Sequence, residues 1–462
     1  MSTTARHSRT AELAALQSLG AELLARDAWP RQRVLELQRA RLDALIAHAV
    51  ERSPYYRDAF GRGPYRLEEL PTLPKATLVE EFDRIVTDPR IALADLERHA
   101  QGPDPGAPFL DRYRAFSTSG TSGLRALIVY SEHEFRYWVS ASLRVFARGG
   151  ITPQTRLVAI GAPNALHITR QLFASFRSGR EGTPELSVLT PLDEIVDALD
   201  AYQPEAIVCY ASIAALLAQE QLAGRLRIAP RIVAVSSEVL TDEARRWIHE
   251  AWSVQATEVY ASTEVLYIAS STPPHRELDV FDDLVVVEVV DEENRPVPAG
   301  SPGYRLLVTN LVNRTQPLIR YELSDSVTLS DRTDPSRLPF GRIACVDGRS
   351  DDVLRILAPD GGDVCVHPYR LREPFAALGG VRQYQIVQHP AGLRALVVLD
   401  GTAGPDTCER VRASLLRALR NAGATPPPVE VVAVERIERE SGHGAKLKLV
   451  KRVVTSENKN PA

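Results

Sequence analysis

Hydroxyl and glycine residues are concentrated in one short segment in the first third of the chain. The segment consists of Ser117, Thr118, Ser119, Gly120, Thr121, Ser122 and Gly123, and a run typical of a β-strand, 127–130, follows it. Glycine lets the backbone approach a ligand closely, and hydroxyls and clustered N–H groups donate to phosphate oxygens. The segment is not a Walker loop, because the Gly-Lys-Ser/Thr ending is missing and a strand follows in place of a helix. We interpret it as a phosphate-binding loop, with an ordinary turn between strands as the alternative.

Five further segments combine carboxylates, hydroxyls, aromatic rings and cations. They read Val235-Ser236-Ser237-Glu238, Tyr260-Ala261-Ser262-Thr263-Glu264, Arg320-Tyr321-Glu322-Leu323-Ser324-Asp325, Gly348-Arg349-Ser350-Asp351-Asp352 and Ser441-Gly442-His443-Gly444-Ala445-Lys446-Leu447-Lys448. Taken singly, such segments are also found as strand ends, exposed charged turns or solvated basic tails. Their order and spacing along one chain are therefore more informative than any one of them.

In this order the segments resemble the motifs of the adenylate-forming superfamily of acyl-CoA synthetases, peptide-synthetase adenylation domains and luciferases. The chain is most similar to the phenylacetate-CoA ligase-like branch. Many members of the superfamily carry a lysine shortly after the phosphate loop, and that branch commonly lacks it, as does Leu124-Arg125-Ala126 here. Residues 54–57, 70–75 and 313–320 also resemble this branch and indicate the fold more than the chemistry.

The resemblance implies a nucleotide site. Its residues are Ser117, Thr118, Ser119, Gly120, Thr121, Ser122, Gly123, Ser237, Glu238, Tyr260, Ala261, Ser262, Asp325 and Arg349. Within it, Ser237 and Glu238 line the adenine pocket, Tyr260 stacks near the adenine, and Asp325 holds the ribose hydroxyls. Two acceptor oxygens on one side chain suit such a diol.

The resemblance also implies which residues act on the reacting groups. Thr263 contacts the phosphate and Glu264 binds Mg²⁺, for which a carboxylate is a suitable oxygen ligand. Arg349 contacts the nucleotide, and Asp351 is the hinge between two domains. The adenylation lysine is assigned to Lys446, and Lys448 remains the alternative. A lysine on a glycine-flanked loop can approach while negative charge develops.

The acid pocket in the resembling enzymes lies beside the phosphate loop, so Tyr130 and the region around His167 are candidates to line it. A core histidine bonded to the backbone is the alternative for His167. The implied reaction is ATP- and Mg²⁺-dependent adenylation of a small carboxylic acid, an aryl acid in this branch. Transfer of the acyl group to coenzyme A follows.

Three alternatives remain open within the same resemblance. The adenylation core could pass the activated group to a carrier-protein thiol or an amine. It could activate nitrite for diazotisation of an arylamine in a biosynthetic pathway. The chain could also be a catalytically silent nucleotide-binding relative.

The elements that must position these residues follow from hydrophobic periodicity. Apolar residues recur at three and four positions between 9 and 52, which predicts a helical lead-in to about residue 100. Short β-type runs alternate with helical patterns between 156 and 260, as in a parallel α/β sheet. Runs at 284–290, 304–309 and 325–329 predict an antiparallel β subdomain, and a small α+β unit follows residue 348. The predicted fold is α/β, with a large adenylation domain at 1–348 and a small mobile lid domain at 349–462.

Composition excludes several other classes of protein. The formal net charge of -4 over 462 residues gives no basic surface for nucleic acid. The four cysteines are scattered, so neither a zinc knuckle nor a redox pair is expected. No run of 18 apolar residues and no secretory leader is recognisable, which predicts a soluble cytoplasmic protein without membrane contact. A monomer or a homodimer is expected.

Overall fold

The computed structural model describes residues 3–118, 126–176, 182–332, 334, 336–349, 354–366, 368–376, 378–439 and 445–452. Within this part of the chain the lead-in is helical. Its helices are α1 Thr3–Ala25, α2 Arg31–Arg52, α3 Pro54–Phe60, α4 Lys75–Glu80, α5 Phe82–Ile85 and α6 Leu93–Ala100. The helical lead-in predicted from periodicity is confirmed. Its apolar face packs into the same core as the strands that follow.

A β-hairpin and a long helix come next. They are β1 Tyr113–Ser117, β2 Leu127–Ser131 and α7 Glu132–Arg148. Ser131 and Glu134 form a capping box at the start of α7, which satisfies N–H groups that the first helical turn leaves free. The Glu134 carboxylate also accepts the backbone N–H groups of Arg314 and Thr315 at 2.7 and 2.9 Å. The hairpin is thereby fixed to the segment around residue 315.

Alternating strands and helices form the middle of the chain. They are β3 Leu157–Gly161, α8 Ile168–Phe176, β4 Leu186–Ser187, α9 Leu192–Tyr202, β5 Ala206–Tyr210, α10 Ala211–Leu222, β6 Ile232–Ser236, α11 Asp242–Trp252 and β7 Thr257–Tyr260. Strands β4, β3, β5, β6 and β7 are parallel neighbours. The side chains between this sheet and helices α9 to α11 form one apolar core. The parallel α/β arrangement predicted for this region is confirmed.

Mostly antiparallel strands follow. They are β8 Ala269–Ser271, β9 Leu278–Val280, β10 Val285–Val290, β11 Arg305–Asn310, β12 Tyr321–Leu323, β13 Asp325–Leu329 and β14 Arg342–Arg349. Strands β10, β11 and β12 form a separate antiparallel sheet. In the described residues the large sheet has nine strands in the order β13-β14-β9-β8-β7-β6-β5-β3-β4.

The antiparallel β structure predicted from the runs at 284–290, 304–309 and 325–329 is divided between two sheets. Strand β13 pairs with β14 in the large sheet and has no ladder with β10, β11 or β12 in the part of the chain described. The alternation of apolar and polar residues along a strand indicates which of its faces is buried, but it does not identify the neighbouring strand.

The C-terminal unit, residues 354–452, has a hydrophobic core of its own. Its elements are β15 Leu354–Leu357, β16 Asp363–Val366, α12 Pro368–Ala376, β17 Val381–His389, β18 Gly392–Leu399, α13 Thr407–Asn421, β19 Val429–Ala433 and β20 Val450–Arg452. Strands β19, β18, β17 and β20 form one sheet. The mixed α+β pattern is as the sequence indicates, while the domain boundary at 348/349 stays a prediction.

Candidate active site

A cavity of about 210 Å³ lies at the carboxyl ends of the parallel strands. The residues that directly follow β5, β6 and β7 line its floor, and the C-terminal unit covers it. Lining residues from the predicted site are Ser237, Glu238, Tyr260, Ala261, Asp325, Arg349, Lys446 and Lys448. The carboxyl ends of parallel strands are where open α/β sheets bind ligands. The fold thus brings together residues that lie more than 200 positions apart in the sequence.

Asp325 is held by two neighbours in this cavity. The Tyr260 hydroxyl donates to Asp325 Oδ2 at 2.8 Å, and Arg349 Nε donates to Oδ1 at 3.3 Å. Asp325 and Arg349 are also directly opposite each other in the β13–β14 ladder. Burial and the Asp325 charge raise the pKa of Tyr260 well above its usual value, so its hydroxyl stays protonated. The carboxylate is therefore fixed with its charge partly balanced.

Glu264 is buried, with 6% of its surface exposed. Its Oε1 accepts the Tyr321 hydroxyl at 3.0 Å. Burial and the nearby Glu264 charge raise the pKa of Tyr321 well above its usual value, which keeps this phenol a donor. The backbone carbonyl of Glu264 accepts from the Tyr130 hydroxyl at 2.8 Å and from Asn310 Nδ2 at 2.9 Å. These bonds fix both the carboxylate and the backbone carbonyl of Glu264.

Ser262 shapes the turn that precedes Glu264. The backbone N–H of Ser262 donates to the Val265 carbonyl at 3.0 Å, and the Val265 N–H returns a 3.0 Å bond to Ser262 Oγ. Thr263 lies half-buried within this turn. These two bonds close a tight bend directly after β7, and Glu264 lies within it.

The base of the predicted phosphate loop is described, but its tip is not. The Ala126 N–H donates to Thr118 Oγ1 at 3.0 Å, and the Thr118 N–H donates to the Ala126 carbonyl at 3.0 Å. Ser117 is buried and its N–H donates to the Leu166 carbonyl. The predicted site residues outside the described part of the chain are Ser119, Gly120, Thr121, Ser122, Gly123 and the hinge residue Asp351.

Glu238 contacts the C-terminal unit. One oxygen, Oε1, accepts from Arg439 Nη1 at 3.0 Å and from the Leu447 N–H at 2.7 Å. The other, Oε2, accepts the Ser212 N–H at 3.0 Å. Its neighbour Ser237 has a positive φ of 69°, an uncommon conformation for serine that bends the chain at the end of β6.

Lys446 lies partly buried in the cavity. Burial, assisted by the positive charge of Arg349, lowers the pKa of the Lys446 ammonium to about 8. The carboxylates of Asp325, Glu238 and Glu264 act in the opposite direction. The Lys446 ammonium is therefore attracted by three carboxylates and repelled by Arg349. Lys448 also lines the cavity, and its carbonyl accepts from Gln385 Nε2 within the C-terminal unit.

In the described part of the chain, Tyr130 and His167 line neither this cavity nor a second, smaller one that lies next to it. Tyr130 is fully buried, with its hydroxyl bonded to the Glu264 carbonyl. His167 is half-buried at the start of α8.

A second, apolar cavity of about 50 Å³ lies behind the first. It is lined by Val145, Phe146, Leu172, Phe173, Ser236, Val259, Ala261, Leu266 and Tyr267, among others, and Val259 and Ala261 line both cavities.

Sequence reasoning did not single out Arg439, Asn310 or Tyr321. Tyr321 lies inside the 320–325 motif, four residues before Asp325, and this position is a sequence signal that could have identified it as a site residue. No sequence signal marks Asn310 and Arg439, because their partners are distant in sequence.

This fold is that of adenylate-forming acyl-CoA ligases. Solved structures of a 2-hydroxyisobutyryl-CoA ligase in the postadenylation state match 94% of this chain and 92% of that one, with a TM-score of 0.73 and 20% identity. A match to the ATP-bound structure of a MatB-derived chimera covers 71% of this chain and 65% of the chimera, with a TM-score of 0.52 and 20% identity. The α/β fold class is thereby confirmed.

In sequence, the chain is homologous to phenylacetate-coenzyme A ligases. It is 26% identical to the one from Thermus thermophilus over 382 residues, which is 79% of this chain and 80% of that protein. It is also 26% identical to the one from Escherichia coli over 350 residues, 73% of this chain and 75% of that protein. The resemblance read from the motifs is confirmed. No protein-family model matches the chain.

A helix that crosses a bilayer needs about 20 consecutive, mostly apolar residues. No helix within the described residues could cross a membrane.

Proposed function

We propose that this chain is an AMP-forming ligase that uses ATP and Mg²⁺ to adenylate a small aryl carboxylic acid and then transfers the acyl group to coenzyme A. The observation that carries the proposal is the meeting of Lys446 with Tyr260, Asp325 and Arg349 in one cavity at the carboxyl ends of the sheet. Coenzyme A as acceptor rests on the curated relatives, which are coenzyme A ligases.

Adenylation must overcome repulsion between two anions. The acid carboxylate attacks the α-phosphate of ATP in line, a P–O bond forms, and pyrophosphate leaves. A preorganised cation at this point stabilises the charge that develops in the transition state. The Lys446 ammonium supplies that cation, while the Tyr260–Asp325–Arg349 group holds the ribose. No protein nucleophile is needed.

Glu264 fits a shared Mg²⁺ ion. In the described residues no cluster of three His, Cys, Asp or Glu could hold a metal unaided. Magnesium typically needs only one or two protein carboxylates when substrate phosphates complete its coordination. Glu264, oriented by Tyr321, is suited to that single contact. When bound, the ion neutralises phosphate charge.

The apolar cavity behind Ala261 is the proposed acid pocket. Its walls carry Phe146, Phe173 and Tyr267, and the rings of Phe146 and Phe173 are stacked with centroids 6.5 Å apart. Such walls favour an apolar, planar acid. The volume of about 50 Å³ is below the roughly 150 Å³ that accommodates benzene in a known cavity. Binding of an aryl ring therefore requires a lining side chain such as the half-buried Phe173 to rotate.

Incubation with ATP, Mg²⁺ and a panel of acids tests the proposal. The panel contains benzoic, phenylacetic, cinnamic and short branched aliphatic acids, each with and without coenzyme A. Pyrophosphate, AMP and acyl products are followed by mass spectrometry. An aryl-CoA product supports the proposal in full. Pyrophosphate release without a thioester overturns the acceptor and favours an amine or a carrier-protein thiol.

A failure of all acids to release pyrophosphate overturns the ligase assignment. A second incubation with nitrite and an arylamine then separates nitrite activation from a silent nucleotide-binding protein. Binding of ATP without turnover in either incubation identifies the silent form.

A further inference from the structure

Glu238 makes its polar contacts with protein groups on two sides. Its Oε2 is bonded to the Ser212 N–H at the start of α10, and its Oε1 is shared by Arg439 Nη1 and the Leu447 N–H. The side chain is 6% exposed. Both oxygens are therefore already used, and a carboxylate in this state has little capacity left for a nucleotide base.

Arg439 completes the connection. Its Nη2 donates to Ser212 Oγ at 2.7 Å, and its Nη1 donates to the Ala445 carbonyl at 3.3 Å as well as to Glu238. The guanidinium thus contacts helix α10, which packs on the large sheet, and the C-terminal segment at Ala445. A planar guanidinium with several fixed donors is suited to such a junction, and lysine would not replace it.

These contacts enclose one residue. Arg439 holds the carbonyl of Ala445, and Glu238 holds the N–H of Leu447, so the backbone is fixed on both sides of Lys446. Ala445 adds an apolar contact, because its side chain is 4% exposed and belongs to the core of the parallel sheet. The position of the Lys446 backbone therefore depends on an ion pair between residues 238 and 439.

We propose that Glu238 and Arg439 are positioning residues that hold Lys446 at the reacting phosphate and do not themselves bind the nucleotide. The inference rests on the proposed function, in which Lys446 serves adenylation. The resemblance implied that Glu238 lines the adenine pocket; Glu238 does line the cavity, but its carboxylate is bonded to protein groups. Loss of the pair should slow the step that needs Lys446 and leave ATP binding and attack by the thiol intact.

Glu238→Gln, Arg439→Gln and the double variant test this role. Acyl-AMP formation is measured in single turnovers, and the second step is measured separately from chemically prepared acyl-AMP and coenzyme A. Each single variant should slow adenylation about 10- to 100-fold, as expected for loss of a buried charged hydrogen bond. The KM for ATP and the rate of the second step should change less than about threefold. The double variant should be no slower than the singles, because the two residues act as one unit.

Deuterium uptake supplies a readout that does not need catalysis. The Leu447 amide is bonded to Glu238, so its exchange should accelerate about 10-fold or more in both single variants. Unchanged uptake, or a KM for ATP raised by Glu238→Gln but not by Arg439→Gln, overturns the proposal. If the native protein adenylates no acid, the proposed function fails, and the uptake result still decides whether the pair holds the segment.

Matched controls come from an exposed ion pair in the same unit. Arg394 Nε donates to Glu430 at 2.7 Å, with both side chains about half exposed. Arg394→Gln and Glu430→Gln remove the same charges far from Lys446 and should leave adenylation and Leu447 uptake unchanged. If these variants slow adenylation equally, the cause is the general loss of charge and not the loss of the Glu238 and Arg439 contacts that flank Lys446.

Discussion

The hydroxyl of Tyr260 lies 2.8 Å from Oδ2 of Asp325, which joins the end of β7 to the start of β13. This contact places an aromatic ring and a carboxylate on one wall of the larger cavity. It connects two strands that are not neighbours in the sheet. In the proposed function this wall offers a nucleoside an aromatic ring for its base and two acceptor oxygens for its ribose.

Asp325→Asn should weaken ATP binding. The substitution removes the charge that holds Arg349 and one acceptor for the ribose, and charged hydrogen bonds contribute about 1.5–3 kcal/mol. We expect the Kd for ATP to rise about 10- to 100-fold, measured by calorimetry. Tyr260→Phe is the matched control, since it keeps the ring and loses only the hydroxyl, and its effect should be smaller. Equal ATP affinity in Asp325→Asn and the native protein would contradict the assignment.

Lys446→Ala should abolish most of the adenylation. Removal of one preorganised donor costs roughly 10²–10³-fold in kcat. Lys448→Ala is the control two residues away and should retain most of the activity, because the Asp325, Glu238 and Glu264 charges act on Lys446. Pyrophosphate release in single turnovers measures both. If Lys448→Ala is the more damaging variant, the lysine assignment must be exchanged.

Lys446 should lose its proton near pH 8 in the free protein. Burial lowers its pKa to about 8, whereas an exposed lysine has a pKa of about 10.4. Between these values the unfolded chain binds more protons than the folded one, so this residue makes the folded state more stable as pH rises. Trace acetylation followed by peptide mass spectrometry should show Lys446 reacting half-maximally near pH 8. Titration together with the exposed lysines would contradict a buried position.

Glu264→Gln should raise the Mg²⁺ concentration that is needed for half-maximal adenylation. The neutral amide keeps an acceptor for Tyr321 but loses the charge that attracts the ion. We expect a rise of about 10-fold or more, measured as pyrophosphate release against Mg²⁺. Tyr321→Phe is the control for orientation and should alter the Mg²⁺ requirement less. An unchanged requirement in Glu264→Gln would move the ion to other ligands.

Phe173→Ala should shift the acid preference toward larger rings. The side chain lines the second cavity and is half-buried, so its removal enlarges the cavity with a smaller loss of packing than a fully buried ring causes. We expect kcat/KM for phenylacetate to rise relative to a short branched acid by about 10-fold, within the range that pocket contacts provide. Leu189→Ala, an exposed apolar residue outside the cavity, should leave the ratio unchanged.

Local patterns in the sequence predicted most of the secondary structure. The run at 325–329 has the bounds of strand β13, and the runs at 284–290 and 304–309 differ from β10 and β11 by one residue at their ends. Such elements depend on the periodicity of nearby side chains, which a sequence displays directly. Of the residues that the motifs assign to the site, Tyr260, Asp325, Arg349 and Lys446 lie in one cavity, whereas Glu264 is not among its lining residues.

The sequence by itself therefore determined the fold class, the order of the motifs and the residue types of the proposed nucleotide site. Only the tertiary structure decided what each residue contacts. Glu238 bonds to Arg439 and Leu447, about two hundred residues away. Tyr130 supports the Glu264 backbone and lines neither of the two cavities among the described residues. Strand β13 joins the large sheet and not the sheet of β10 to β12. Periodicity fixes which face of an element is buried, whereas the partner on that face depends on how distant elements pack.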